Sequence, residues 1–302
     1  MRRVQSCPSC GDAKTIVVVE AGAAQRAAFL SYSGFKYGGS MDRWLDSMVL
    51  MVLRCPACGH HWYRDQPEDD QLSAMYSASR SFFGCVTIDR QPSDHMRRQM
   101  RRLRRLLGTG ATPHLLDYGS GFGRWARAAM AEGFDVCAYE PSVVRGAEVA
   151  AEFTVTHDLA SLRGRRFHAV NLEQVLEHVP DPLAVLTSLH DLCLPGAIVR
   201  ITVPNIDRPH EGTRLWRDWP FNGRSVHTMA PFEHLHGFTP VSLACLVRRA
   251  RFRMVNWKRI ALTHTDVWSR RMAAHMWRRL GQTFVLVEPD QLPGGDCSKR
   301  CL

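Results

Sequence analysis

The sequence predicts an α/β fold: a mainly parallel sheet flanked by helices, preceded by a small cysteine-rich module. Three observations predict it. First, Cys7-Pro8-Ser9-Cys10-Gly11 and Cys55-Pro56-Ala57-Cys58-Gly59 are near copies of one another. Second, the apolar pair Leu115-Leu116 runs through Asp117-Tyr118 into a Gly-x-Gly-x-Gly turn, with Gly119, Gly121 and Gly123 in the glycine positions. Third, helical and strand-like stretches alternate from there onward, which is the signature of βαβ units.

Length and composition set the outer bounds. A chain of 302 residues accommodates one large domain, or an ordinary domain with an attachment. With 45% hydrophobic and 23% charged residues, wholesale disorder is excluded. The longest apolar stretch, Met48–Leu53, is far short of the roughly 20 residues a spanning helix needs. The start, Met1-Arg2-Arg3-Val4-Gln5-Ser6-Cys7, has no apolar run of the secretory kind. A reducing, cytoplasmic setting is therefore the expectation. The net charge of +10 is carried by Arg, because the only lysines are Lys14, Lys36, Lys258 and Lys299. It suits solvated faces or an anionic partner. Its densest patch, 96–107, has Met96, Met100, Leu103 and Leu107 at helical spacing, with Arg filling the other faces.

Each Cys-x-x-Cys-Gly places two thiolates three residues apart, with a glycine for the tight turn. Two such knuckles make a closed set of four soft ligands, Cys7, Cys10, Cys55 and Cys58. That set suits a structural zinc with no open position for chemistry. A redox role is disfavoured by the duplication. His60 and His61 follow the second knuckle as alternative ligands. Between the knuckles, 16–19 and 48–54 read as strands, and Gly34, Gly38 and Gly39 mark a loop. Residues 65–70 read as a linker and helix start, followed by Leu72, Met75 and Tyr76 at helical spacing.

The glycine turn is informative through its context. A helix, 125–130, and a second strand, 134–140, follow it, and that strand ends on Glu140. A carboxylate there can accept both hydroxyls of a ribose. The third glycine comes one residue too early for a pyrophosphate-binding turn, and Asp117 beside it would repel a pyrophosphate but suit an ammonium group.

With that Asp-x-Gly-x-Gly-x-Gly segment, the sequence resembles the class I S-adenosylmethionine-dependent methyltransferases. The likeness continues in Glu173-Gln174-Val175-Leu176-Glu177-His178-Val179-Pro180-Asp181-Pro182 after strand 167–172. Leu194–Asn205 resembles the turn and fifth strand, and 252–261 and 283–287 the last two, with an extra helix expected over 266–280. It implies a Rossmann-like, seven-stranded methyltransferase sheet behind a zinc-ribbon-like domain. The organisation then reads as 1–85 for the zinc-binding module and linker helix, 86–290 for the methyltransferase domain, and 291–302 for a disordered tail.

By that resemblance, Asp117 and the backbone at Gly119 and Gly121 hold the methionine end of S-adenosylmethionine. Glu140 holds the ribose, Asp158 the adenine amino group, and Glu173 lies near the methionine part. The segment Phe232-Glu233-His234-Leu235-His236-Gly237-Phe238-Thr239 resembles one in zinc-ribbon sugar C-methyltransferases, where a Glu-His pair is implicated in proton abstraction. It makes His234 the candidate base, Glu233 its partner and Tyr76 a candidate active-site residue. Where those enzymes often carry a Tyr two positions before the Glu, this chain has Pro231. The acceptor implied is a small molecule such as a sugar, nucleotide-linked sugar, glycan or secondary metabolite. The arginine excess would suit an anionic one. Two alternatives stay open: an RNA methyltransferase docking through the zinc module, and a non-catalytic zinc-ribbon interaction protein.

Overall fold

A computed structural model describes residues 1–37, 39, 42–45, 47–78, 91–147, 150–207, 221–222, 225–226, 228–229, 234–255 and 282–289. The expected extra helix at 266–280, the stretch 256–261 and the tail 291–302 lie outside them. The chain divides into two compact units. One comprises the described residues of Met1–Ile88, Leu176–Leu183 and Pro204–Leu246, the other those of Asp89–Val175, Ala184–Val203 and Val247–Leu302. Among the described residues, no helix is long and apolar enough to cross a membrane.

The first unit is built on an antiparallel sheet of β2 (Ile16–Glu20), β3 (Met51–Arg54), β4 (His61–Tyr63) and β13 (His236–Gly237), in the order β13-β4-β3-β2. Successive strand residues point to opposite faces, and in β3 and β4 both faces are buried, whereas the edge strand β2 exposes Ile16 and Val17. Val52 and Tyr63 join Phe29, Leu45, Leu72, Met75, Ile206 and Leu235 on one side. Met51, Leu53 and Trp62 join Cys7, Cys55, Cys58 and Cys245 on the other. Two-sided burial explains why 48–53 is apolar without alternation.

Two expectations are corrected in this unit. The stretch expected as a loop around Gly34 contains α1 (Ala23–Tyr37). Its packing face is small and partly polar: Phe29 and Ser33 are fully buried, while Arg26 donates to the carbonyls of Leu45 and Met48. Residues 65–66, expected as linker, form β5 (Asp65–Gln66), paired with β1 (Arg2–Arg3). Asp65 is buried because Arg64 and Arg3 pair with its carboxylate and the Val49 amide donates to it. The expected helix after it is present as α3 (Asp69–Ala78), past the one-turn α2 (Asp42–Leu45).

The second unit carries the seven-stranded mixed sheet. Its strands are β6 (His114–Tyr118), β7 (Asp135–Tyr139), β8 (Thr154–Thr156), β9 (Phe167–Glu173), β10 (Cys193–Pro204), β14 (Phe252–Met254) and β15 (Gln282–Pro289). They are ordered β14-β15-β10-β9-β6-β7-β8. The run from β10 to β8 is parallel, and β14 pairs antiparallel with β15. This is a doubly wound arrangement whose order reverses beside β6, where such sheets bind ligands. The arginine-rich helix is α4 (Asp94–Leu107), capped by the Ser93 hydroxyl and stopped by Gly108 in the left-handed region. It buries Met100, Leu103 and Leu106, while Met96 and Leu107 are only partly covered. Beside it, α5 (Arg124–Ala131) buries Ala126, Ala128 and Ala129.

Candidate functional site

The cofactor-side residues meet at the carboxyl ends of β6, β7 and β9. Residues paired across parallel strands share a face. Asp117 pairs with Asn171, and Asn171 with Arg200, so three polar side chains form one row in an otherwise apolar sheet. Asn171 Nδ2 donates to Asp117 Oδ1 at 2.8 Å, and Arg200 Nη1 donates to Asn171 Oδ1 at 2.7 Å. The same Nη1 reaches Glu173 Oε2 at 2.5 Å. The Arg200 guanidinium also lies over the Trp125 ring, 4.1 Å from its centroid. Burial pushes the Asp117 carboxyl up to about 6, against the hydrogen bond from Asn171. Burial lowers Arg200, and Glu173 counters it. Arg200 was not foreseen. The signal was present: an arginine flanked by Ile198-Val199 and Ile201 in a strand must be paired if buried.

The glycine turn sits above this row. Gly119 is left-handed, at φ 74°, and a Cβ there would lie 2.8 Å from Val175 Cγ2. We therefore expect Gly119→Ala to destabilise the chain by about 1–2 kcal/mol through its backbone conformation. Overpacking adds roughly 1–3 kcal/mol. Urea unfolding checks this: Val175→Ala in the same chain should recover only the overpacking part, and a Gly119→Ala chain as stable as the parent would refute the close approach. Gly121, also left-handed, faces open space instead. Its amide donates to Glu140 Oε2 at 2.8 Å, while the Ser142 amide donates to Oε1 at 3.0 Å. Glu140 is thus buried and locked in one orientation. Asp158 is exposed, and its Oδ1 accepts the Ala160 amide as cap of the short helix Leu159–Leu162. Directly after Glu173, Gln174 has φ 53°, an uncommon conformation for a non-glycine.

These residues fit S-adenosylmethionine. Asp117 Oδ2 is buried and accepts no hydrogen bond from the described residues, which leaves an acceptor for an ammonium group. The open space at Gly121 leaves the backbone approachable.

In the other unit, four thiols form one cluster. Cys7 Sγ lies 3.5 Å from Cys58 Sγ, and Cys10 Sγ 3.5 Å from Cys55 Sγ. The knuckles close with the same bond: the Gly11 amide donates to the Cys7 carbonyl and the Gly59 amide to the Cys55 carbonyl. Ligands bound at about 2.3 Å around a tetrahedral ion stand roughly 3.8 Å apart, so four thiols within 4.8 Å of one another fit zinc. The Cys58 hydrogen bond draws the Cys7 thiol down to about 6, and the same contact pushes Cys58 up. His60 and His61 are outside the cluster. His60 Nε2 instead lies 3.2 Å from His236 Nδ1, and burial lowers both imidazoles, His236 to about 4.

That pair belongs to a larger join. The segment carrying His234 is sewn to the second knuckle: His236 pairs with Trp62 and Gly237 with His61. Thr239 Oγ1 donates to the Cys58 carbonyl at 2.9 Å. The same Thr239 begins α6 (Pro240–Arg249), with its hydroxyl accepting the Ser242 amide. His234 Nδ1 donates to the Thr228 carbonyl at 2.6 Å, which leaves the lone pair on Nε2. Its ring stands edge-on to that of His178, centroids 4.6 Å apart. His178 Nε2 is 3.9 Å from Glu177 Oε1, and Glu177 is fully buried. The backbone carbonyl of Glu177 accepts both the Leu235 and His236 amides. Glu233 lies outside the described residues. Tyr76 is placed in α3, and its side chain is likewise outside them.

A search of curated proteins finds no significant sequence match. Solved structures to which the chain is similar include the Burkholderia thailandensis 1,6-didemethyltoxoflavin-N1-methyltransferase with bound 1,6-didemethyltoxoflavin and S-adenosylhomocysteine. It is 19% identical over 77% of this chain and 96% of its own, with a TM-score of 0.49. The [4+2]-cyclase SpnF is 16% identical over 74% and 98%, with a TM-score of 0.47. An S-adenosylmethionine-dependent methyltransferase from Archaeoglobus fulgidus is 16% identical over 63% and 92%, with a TM-score of 0.42. The family model described as "Methyltransferase domain" matches residues 93–285. That match takes in more than half of the chain, and by it the chain belongs to the methyltransferase-domain family of S-adenosylmethionine-dependent enzymes.

Proposed function

We propose that the chain methylates a small molecule, with a sugar, nucleotide-linked sugar, glycan or secondary metabolite as acceptor class. The observation that carries the cofactor half is the buried Asp117 with an unfilled acceptor atom, beside a glycine turn and the locked Glu140. S-adenosylmethionine, when bound, supplies a methyl group on a positively charged sulfur. Asp117 and the backbone at Gly119 and Gly121 hold its amino-acid end. Glu140 would take the ribose hydroxyls and Asp158 the adenine amino group. Glu173, neutralised by Arg200, borders the amino-acid end without adding net charge.

On the acceptor side, His234 offers Nε2 as a base, its tautomer set by the Thr228 carbonyl. Glu233 and Tyr76 complete that group. Zinc on Cys7, Cys10, Cys55 and Cys58 is structural. It stiffens the knuckle to which the His234 segment is paired. An anionic acceptor suits the arginine excess, and the setting is the cytoplasm.

The test is methyl-labelled S-adenosylmethionine incubated with purified protein and host extract, then fractionated by size, with Asp117→Ala as blank. Label in the small-molecule fraction is expected. Label in nuclease-sensitive large material would overturn this reading in favour of RNA. Label nowhere would leave the zinc-ribbon interaction protein.

A further inference from the structure

We infer that Glu177, His178 and His234 form a second metal site, for a divalent transition cation of the zinc class. The inference rests on the proposed role of His234, because an ion there and the free base use the same nitrogen. The three side chains offer two imidazole nitrogens and one carboxylate oxygen, all within 4.8 Å of one another. Ligands about 2.0–2.1 Å from a tetrahedral ion stand roughly 3.3 Å apart. The Glu177–His178 pair, at 3.9 Å, is most of the way there. Closure needs side-chain movements on the order of 1 Å, not a change of backbone.

Three features make this a prepared ligand set. A metal-binding imidazole commonly donates its other N–H to a carbonyl, which fixes the ring, and His234 does this to Thr228. Glu177 is fully buried with Oε1 3.9 Å from His178 Nε2, so its carboxylate stands beside an imidazole and out of solvent. The backbone is also pinned: the Glu177 carbonyl takes the amides of Leu235 and His236, so the three ligands are carried on segments tied together next to the metal. Two imidazoles with one carboxylate suit zinc, iron(II) or manganese(II) and leave coordination positions open. This differs from the four-thiol cluster, which is closed. An ion bound to His234 Nε2 occupies the lone pair the base requires, so the loaded chain is held inactive.

The test uses the full chain dialysed against zinc and counted by elemental analysis. Wild type should hold two zinc ions per chain. His178→Asn, His234→Asn and Glu177→Gln should each hold one, and that retained ion shows that the knuckles remain folded. Cobalt(II) separates the sites by spectrum, since thiolate ligation gives an intense near-ultraviolet band and the imidazole–carboxylate set does not. Wild type holding a single thiolate-bound ion would overturn the second site, whatever the activity. In parallel, methyl transfer should fall as the second ion loads. Loading without inhibition would uphold the site and refute the base role of His234.

Discussion

Cys58→Ser should stop methyl transfer while leaving cofactor binding nearly intact. The substitution removes one of four thiols, and structural zinc contributes on the order of 10–16 kcal/mol to folding in small zinc modules. What depends on it here goes beyond the knuckle. Residues 61–63 continue from it as β4, β4 pairs with His236 and Gly237, and Thr239 bonds the Cys58 carbonyl itself. When the turn at Cys55–Gly59 loosens, the segment that fixes His234 loses its strand partner and its anchor together. A displacement of about 1 Å at a reacting group costs on the order of 100-fold, so turnover should fall by at least that factor. The residues proposed for the cofactor lie in the unit that contains none of the four cysteines. The cofactor's dissociation constant should therefore move by no more than about two-fold, the scatter expected between independent sites. Turnover and zinc content measured on one preparation check this. Full turnover in a zinc-free Cys58→Ser chain would show that the knuckle does not position His234.

Asp117→Asn should do the opposite: weaken the cofactor and strengthen the fold. Charge-assisted hydrogen bonds contribute about 1.5–3 kcal/mol, so removing the charge facing an ammonium group should raise the dissociation constant roughly ten- to a hundred-fold. The stability effect follows from the direction of the shift. Burial raises the Asp117 carboxyl from 3.8 to about 6, so the folded chain holds its proton more tightly than the unfolded one. The stability that proton confers is fully present below pH 3.8. It is lost as pH rises through about 6. Two pH units correspond to a deficit on the order of 3 kcal/mol above that range. Asparagine keeps the oxygen that accepts from Asn171 and carries no charge, so its advantage should be largest near pH 8 and vanish near pH 4. Urea midpoints across that range measure it. Cofactor affinity of the parent should also weaken as pH falls through 6, and that of Asp117→Asn should stay flat. Equal midpoints at pH 8 would mean Arg200 fully compensates the buried charge.

How much of this the sequence disclosed depended on the distance between interacting residues. The Asp117 turn and Glu140 were legible because strand, turn, helix and strand follow one another within a short stretch, and each local preference agrees with its neighbours. The cysteine cluster was legible from chemistry, since two copies of one knuckle need no map to be paired. Arg200 was hidden because its partners, Asn171, Glu173 and Trp125, are brought together only by sheet order and register. Glu177 was read only as part of a longer segment. Its proximity to His234 arises from the bonds its carbonyl makes to residues 235 and 236. Helix α1 was obscured by Gly34 and by a packing face that uses Ser33 where a longer apolar residue would announce itself.

The pairing of β4 with β13 also dictates an order of events during synthesis. The bond from Thr239 to Cys58 closes a loop of 181 residues, an entropy cost of roughly 4–5 kcal/mol that local turns do not incur. Until the ribosome has delivered residues 236 and 237, the knuckle's sheet ends at β4 with an open edge, the kind that recruits other chains. The two knuckles can meet early, because both lie near the amino terminus, but the sheet they support completes late. Nascent chains paused or cut before residue 236 should therefore aggregate through β4, and excising the first 85 residues as a free-standing zinc module should yield the same sticky edge.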